Sequence, residues 1–259
     1  MSASLSSPLP ASVTLHSASA ERLAVAMAQD IAQHLSQALT DRGQALLSVS
    51  GGQSPVAMFE ALRLQPLDWS RVRVTLVDER CVPTSHPASN ARLVRAHLLQ
   101  GAASAAHFTP LVPQELGPLP SAAELAAAAD QALQALGPAD VLVLGMGADG
   151  HTASLFAGGL ELAQALDLSC PQACLPMHLA RPPENAPFAR VTQTLAQLLR
   201  SRQLVLPVVG ADKLATLRLA LQARIERLPI SCVLHQTQAP VALWLDASSF
   251  DACPLPVHP

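Results

Sequence analysis

The chain has 259 residues, of which 50% are hydrophobic and only 14% charged, with 16 Lys and Arg against 19 Asp and Glu. That length suits one large domain or two small ones, and no uninterrupted apolar run approaches the ~20 residues of a membrane helix, which excludes a transmembrane protein. A net charge of −3 and 3% aromatic residues argue against nucleic-acid binding, which needs a basic field and stacking rings.

Met1 to Val13 lack the basic start and long apolar centre of a signal peptide, so residues 1–19 read as a loose tail. Ala20 to Arg42 then carries Leu23, Met27, Ile31 and Leu35 at four-residue spacing, an amphipathic helix that Gly43 stops. A short apolar strand follows at Ala45–Val49. Ser50-Gly51-Gly52-Gln53-Ser54-Pro55 turns the chain into a second helix, with Ser54 as N-cap and Pro55 in the first helical position. Val72–Val77 is a β-branched strand ending at Asp78-Glu79-Arg80, and Ser89 caps a helix through Leu99.

Thr109 to Pro120 reads as loop with room for one strand. Ser121 and Glu124 form a capping box opening an Ala-rich helix that ends near Gly137. Val141–Leu144 is a third strand, running into Gly145-Met146-Gly147-Ala148-Asp149-Gly150-His151. Beyond the Pro-rich stretch from Leu168 to Pro187, the pattern predicts a helix over Thr192–Arg202, a strand over Leu204–Val209, a helix over Asp212–Ala223 and a strand over Val241–Leu245. Short apolar strands alternating with helices, without repeat or linker, specify a three-layer α/β domain over residues 20–259, a mostly parallel Rossmann-like sheet covered on both faces.

Ligands of an open α/β sheet bind beyond the carboxyl ends of its strands, and the unusual residues of this chain fall there repeatedly. Ser50, Gly51 and Gly52 make a turn of small residues whose free amides suit an anion such as phosphate, though a plain tight turn fits equally. It is neither a Walker loop nor the G-x-G-x-x-G fingerprint. Lys213 and Arg190 can complete a phosphate clamp; each alone is also an ordinary surface cation. The Gly145–His151 segment is more telling, because three glycines and two ionisable groups make poor filler after a buried strand. Glycine conformations would aim Asp149 and His151 into a cleft, where an imidazole can take and return a proton near neutral pH.

Other chemistries fail on pattern. There is no G-x-S-x-G elbow and no H-E-x-x-H spacing. The five cysteines include no C-x-x-C pair; Cys170 and Cys174 are four apart, as on a helix, but no second ligand pair follows. They read as idle thiols of a cytoplasmic protein rather than a metal site.

Together, Leu47 to Pro55, Asp78-Glu79-Arg80 with Val82-Pro83 and Ser89-Asn90, and Gly145 to Phe156 resemble the signature segments of the 6-phosphogluconolactonase family. Arg190-Val191-Thr192, Gly210 to Lys213 and Trp244-Leu245-Asp246 are similar to its weaker later segments. The chain departs from the usual pattern at Gln53-Ser54 and at Ala148, where Pro is commoner. The resemblance implies a phosphosugar isomerase/CoA-transferase-like fold and hydrolysis of 6-phospho-D-glucono-1,5-lactone without metal or organic cofactor.

On that resemblance His151 is the general base, Asp149 orients it, and Arg80 or loop amides stabilise the oxyanion. Ser50, Gly51, Gly52, Arg190 and Lys213 hold the 6-phosphate, Gly147 lines the site, and Asp78 and Asn90 organise the loops or bind hydroxyls. The partner is a small phosphosugar lactone, not nucleic acid or membrane, and the chain is a monomer or small homo-oligomer. Two other classes share the fold. A glucosamine-6-phosphate deaminase carries a glutamate five residues after its histidine, where this chain has Phe156, and lacks an arginine at the position of Arg80. A phosphosugar sensor would carry a fused DNA-binding segment, which the residues before Ala20 are too few to form.

Overall fold

A computed structural model describes residues 9–113, 120–181 and 187–248. Its strands are β1 (Val13–Ala18), β2 (Ala45–Val49), β3 (Val72–Leu76), β4 (Asp78–Arg80), β5 (His107–Thr109), β6 (Val141–Val143), β7 (Cys174–Met177), β8 (Arg190–Gln193), β9 (Leu204–Val208) and β10 (Val241–Asp246). Its helices are α1 (Ala20–Arg42), α2 (Val56–Leu62), α3 (Asn90–His97), α4 (Ala122–Leu136), α5 (Leu162–Leu166), α6 (Leu195–Leu198), α7 (Ala211–Gln222) and α8 (Pro229–Leu234).

Seven strands form one sheet in the order β1-β10-β9-β6-β2-β3-β5, with every neighbouring pair parallel. Side chains alternate across it, as the two-residue period of a strand requires. Leu47, Val49, Val141, Val143, Val205 and Trp244 pack with α1 to α4 on one face. Leu46, Leu142, Leu144, Leu204, Leu206 and Leu243 pack with α5 to α8 on the other. Both faces are therefore apolar, and each buried Leu or Val contributes about 1.5–3 kcal/mol relative to exposure. The α/β class with helices on both faces is what the sequence pattern specified.

The capped elements follow their local chemistry. Gly43 closes α1 at φ 76°, its amide bonding the Leu39 carbonyl. Ser89 accepts the Arg92 amide at the start of α3, and Ser121 and Glu124 form the complete capping box of α4. Among the described residues, no helix is long and apolar enough to cross a membrane.

Several expectations need correction. Val13–Ala18, read as tail, is β1, an edge strand in parallel register with β10; only the neighbour's free edge recruits it, and that edge is not local information. Asp78–Arg80 does not end β3 but forms β4 of a second, antiparallel sheet, β4-β8-β7. Arg190–Gln193, partly assigned to a helix, is β8 of that sheet, and α6 begins only after the Thr194 cap. Cys174 lies in β7 rather than on a helix with Cys170, and burial raises its thiol pKa. Cys81 is pushed up to about 11 by burial and by Glu79, so neither thiol is poised to react. Cys253, and part of the Pro-rich stretch, lie outside the described residues.

The second sheet stands on the carboxyl ends of the first. The Val77 amide bonds the Val49 carbonyl at 3.0 Å, and the Gln193 amide bonds the Val77 carbonyl at 2.8 Å. Gln193, buried, also donates from its side chain to Ser48 and to the Leu76 carbonyl.

Candidate active site

From β2 the chain proceeds outward to β3 and β5 on one side, then returns to build β6, β9 and β10 on the other. The reversal leaves a crevice between the carboxyl ends of β2 and β6, where doubly wound sheets bind ligands. Ser50 closes its floor. Its amide bonds the Val143 carbonyl at 2.9 Å, and its hydroxyl accepts the Gly145 amide at 2.9 Å. Contrary to the expectation from sequence, Ser54 does not cap α2; Pro55 holds that position, and Ser54 instead accepts a hydrogen bond from Lys213 Nζ at 3.2 Å.

Gly51 is required by a neighbour rather than by a ligand. A Cβ there would overlap the Asn90 carboxamide, whose Nδ2 donates to the Asp78 carbonyl at 2.9 Å. Gly51→Ala is therefore expected to lower kcat/KM at least 10-fold, by displacing a wall of the cleft, and to destabilise by about 1–3 kcal/mol. Steady-state kinetics and a thermal melt check both numbers. Gly52 adopts φ 88°, a region glycine enters without strain. The amides of Gly51 and Gly52 donate to no other described residue.

The sequence motif gives Glu79 no role, and the structure supplies one. It is fully buried, and its carboxylate accepts from the amides of Arg80, Asn90 and Ala91 and from the Ser89 hydroxyl, at 2.7–3.0 Å. It thus ties β4 to the first turn of α3. Burial raises its pKa, against the pull of those four donors. Asp78 faces the cleft, accepting from Ser154 at 2.5 Å and, at 3.4 Å, from Asn90. The pattern that could have found Glu79 is an acid followed ten residues later by the Ser-Asn of a helix start.

The Gly145–His151 loop is held from both sides. Gly147 donates to the His151 carbonyl, Thr152 Oγ1 to the Gly145 carbonyl, and Thr216 Oγ1 of α7 to the Ala148 carbonyl. A Cβ on Gly147 would overlap the His151 ring, so this glycine lets the imidazole fold back over the loop. Gly150 turns at φ 81°, and Ala153 sits at φ 47°, strained for a residue with a Cβ. His151 Nδ1 lies 2.5 Å from Asp149 Oδ1. That hydrogen bond holds the Asp149 carboxyl below its ordinary pKa, with burial opposing. An ionised carboxylate only accepts, so Nδ1 carries the hydrogen of this bond, and in the neutral imidazole Nε2 is then the acceptor.

The cations reach the cleft from three elements, α7, β4 and β8. Lys213, in the first turn of α7, reaches toward the glycine turn through Ser54. Arg80 and Arg190 are register partners across β4 and β8. Arg80 Nη1 donates to the Ala88 carbonyl at 2.6 Å. Arg190 is only 5% exposed, and its Nε has no hydrogen-bond partner. Burial, then the charge of Arg80, lower its pKa, while Asp78 opposes them.

One cleft gathers Ser50, Gly51, Gly52, Asp78 and Arg80 with Asn90, Gly147, His151, Arg190 and Lys213. Asp149 is not part of its lining and reaches it only through His151. Sequence reasoning assigned no part to Ser154, to Thr216 or to the packing of Phe156, whose ring stacks on His151. Among the described residues no three His, Cys, Asp or Glu side chains gather closely enough to hold a metal ion.

A doubly wound parallel sheet with a cationic, histidine-bearing crevice at its switch point defines an α/β protein whose cleft suits a small anionic ligand. The family model for glucosamine-6-phosphate isomerases/6-phosphogluconolactonase matches residues 18–244, and the chain belongs to that family. It is 48% identical over 230 residues to a 6-phosphogluconolactonase of Pseudomonas aeruginosa, covering 88% of this chain and 93% of that one. A Pseudomonas putida protein of the same name is 46% identical over 229 residues, covering 88% of this chain and 91% of that one. The crystal structure of a 6-phosphogluconolactonase from Shewanella baltica superposes with a TM-score of 0.80 at 38% identity, over 92% of this chain and all of that one. A monomeric glucosamine-6-phosphate deaminase has the same fold, with a TM-score of 0.73 at 17% identity.

Proposed function

We propose that this chain hydrolyses 6-phospho-D-glucono-1,5-lactone to 6-phospho-D-gluconate, the second step of the oxidative pentose phosphate route, with His151 activating the water. The observation that carries the reading is the Asp149–His151 hydrogen bond beside two arginines and a glycine turn, in relatives' company named for this reaction.

In this mechanism His151 Nε2 takes a proton from water as the water oxygen bonds to the lactone carbonyl carbon. The bond from that carbon to the ring oxygen then breaks, and the imidazolium returns the proton to the departing oxygen. Asp149 stabilises the imidazolium and holds the ring's tautomer. The amides of Gly145, Gly147 and Gly150 already donate within the protein, which favours Arg80 as the oxyanion donor. The free amides of Gly51 and Gly52, with Arg190 and Lys213, hold the phosphate, and Asp78 and Asn90 form the wall between.

The decisive assay adds the purified protein to freshly prepared lactone and couples 6-phosphogluconate to its dehydrogenase, against the spontaneous rate. No acceleration overturns the proposal, and ammonia release from glucosamine 6-phosphate would replace it with the deaminase reading. Phe156 favours the lactonase, since it offers no carboxylate beside His151. Asp149→Asn is expected to reduce kcat by about 10–100-fold with KM little changed, because the amide no longer stabilises the imidazolium.

A further inference from the structure

Two contacts beside the cleft meet on one side chain, Phe156, which is not itself part of the cleft lining. The Phe156 ring stacks on the His151 imidazole, with centroids 4.2 Å apart and planes at 30°. The Arg190 guanidinium lies 4.7 Å from the centroid of the same ring. Each neighbour has little else to hold it on that side. The His151 ring makes its one side-chain hydrogen bond at Nδ1, and Arg190 has an unpartnered Nε and forms no ion pair with a described residue. A buried guanidinium that no carboxylate pairs directly keeps its charge available to a ligand, but it needs a surface to define its position; an aromatic face supplies attraction without neutralising it. The opposite choice, a carboxylate at this place, would pair with the arginine and screen it from an anion.

We propose that Phe156 is a positioning residue for lactone hydrolysis, aligning the His151 ring and the Arg190 guanidinium through one aromatic face. The inference rests on the roles given to His151 and Arg190 above. Phe156 also packs on the core beneath the loop, so its ring is anchored to the sheet rather than to the mobile ends of either polar side chain. It therefore sets the distance between the proton-transferring group and a ligand-binding cation, a distance that a substrate bound at both ends must match.

Phe156→Leu keeps an apolar filler and removes the ring face. It is expected to lower kcat about 10-fold through a misaligned imidazole and to raise KM about 3–10-fold through a loosened guanidinium. Phe156→Tyr, which retains the face, should restore both constants. In an Arg190→Ala background the KM effect of Phe156→Leu should disappear, because the ring acts on KM only through that arginine. A purely structural role predicts instead a lowered melting temperature, no rescue by tyrosine, and additive effects; that pattern, or wild-type constants in Phe156→Leu, overturns the inference.

A measurement on the unmodified protein keeps the idea testable even if the leucine variant does not fold. The His151 Cε1–H proton resonance, identified by its loss in His151→Ala, should be displaced upfield by the stacked ring, and an undisplaced resonance overturns the stack. His151→Ala separates the two claims. Full turnover in it refutes the proposed mechanism itself, whereas an inactive His151→Ala beside an unimpaired Phe156→Leu refutes only the role of Phe156.

Discussion

Replacing His151 with alanine is expected to lower kcat by about 10²–10⁴-fold, the range contributed by a positioned acid–base group. The ring lines the cleft, is held at Nδ1 by the Asp149 carboxylate, which leaves Nε2 as the acceptor of the neutral imidazole, and sits on a loop braced by Thr152 and Thr216. Because that bracing does not run through the imidazole, the variant should fold. Binding of the phosphate end should survive as well, since Gly51, Gly52, Arg190 and Lys213 are untouched, so KM should move far less than kcat. Assays at lactone concentrations spanning KM, corrected for spontaneous opening, measure the split. A variant that turns over at the wild-type rate would remove the base from this mechanism.

Glu79→Ala is expected to have the largest effect on stability. Its carboxylate satisfies three backbone amides and one hydroxyl in a fully buried setting. Deleting it strands those donors, at about 1–3 kcal/mol for a buried group left unsatisfied. Partial relaxation brings the sum to about 3–5 kcal/mol, comparable with breaking a buried charged pair, and the melting temperature should fall on the order of 10 °C. Activity should fall with it, because the first turn of α3 carries Asn90, the wall against Gly51.

Glu79→Gln adds a test with a sign. Burial raises the Glu79 pKa in the folded chain, so protonation favours folding. The contribution is fully present below the unfolded value near 4.3 and is lost as pH rises through the higher folded value. The stability of the wild type relative to Glu79→Gln should therefore increase as pH falls through that window, which denaturant titrations of both proteins at matched pH measure. A difference that shrinks on acidification would mean the four donors, not burial, set the titration.

Part of the molecule was legible in the amino-acid order because its causes are local. The four-residue apolar stripe and Gly43 bound α1 at Ala20–Arg42, and Ser89, Ser121 and Glu124 mark helix starts that the hydrogen bonds reproduce. Four-to-six-residue apolar runs mark β2, β9 and β10 as buried strands, and polar residues after them mark one end of the sheet. Capping, periodicity and glycine conformations act within a few residues, so sequence alone determined the α/β class and marked the segments that line the cleft.

Tertiary structure decided what those segments do to one another. Val13–Ala18 is a strand only because β10 offers a free edge, and Asp78–Arg80 and Arg190–Gln193 are strands only because they pair with each other across more than a hundred intervening residues. That pairing sets Arg80 beside Arg190, and the strand-order reversal sets Ser50 beside Gly145. The glycine at 51 answers to Asn90, and Phe156 stacks on His151 while facing Arg190, relations that no spacing in the chain encodes. Contacts between distant segments depend on sheet order and register, which arise from packing the whole core, and the geometry of the cleft is a consequence of that packing.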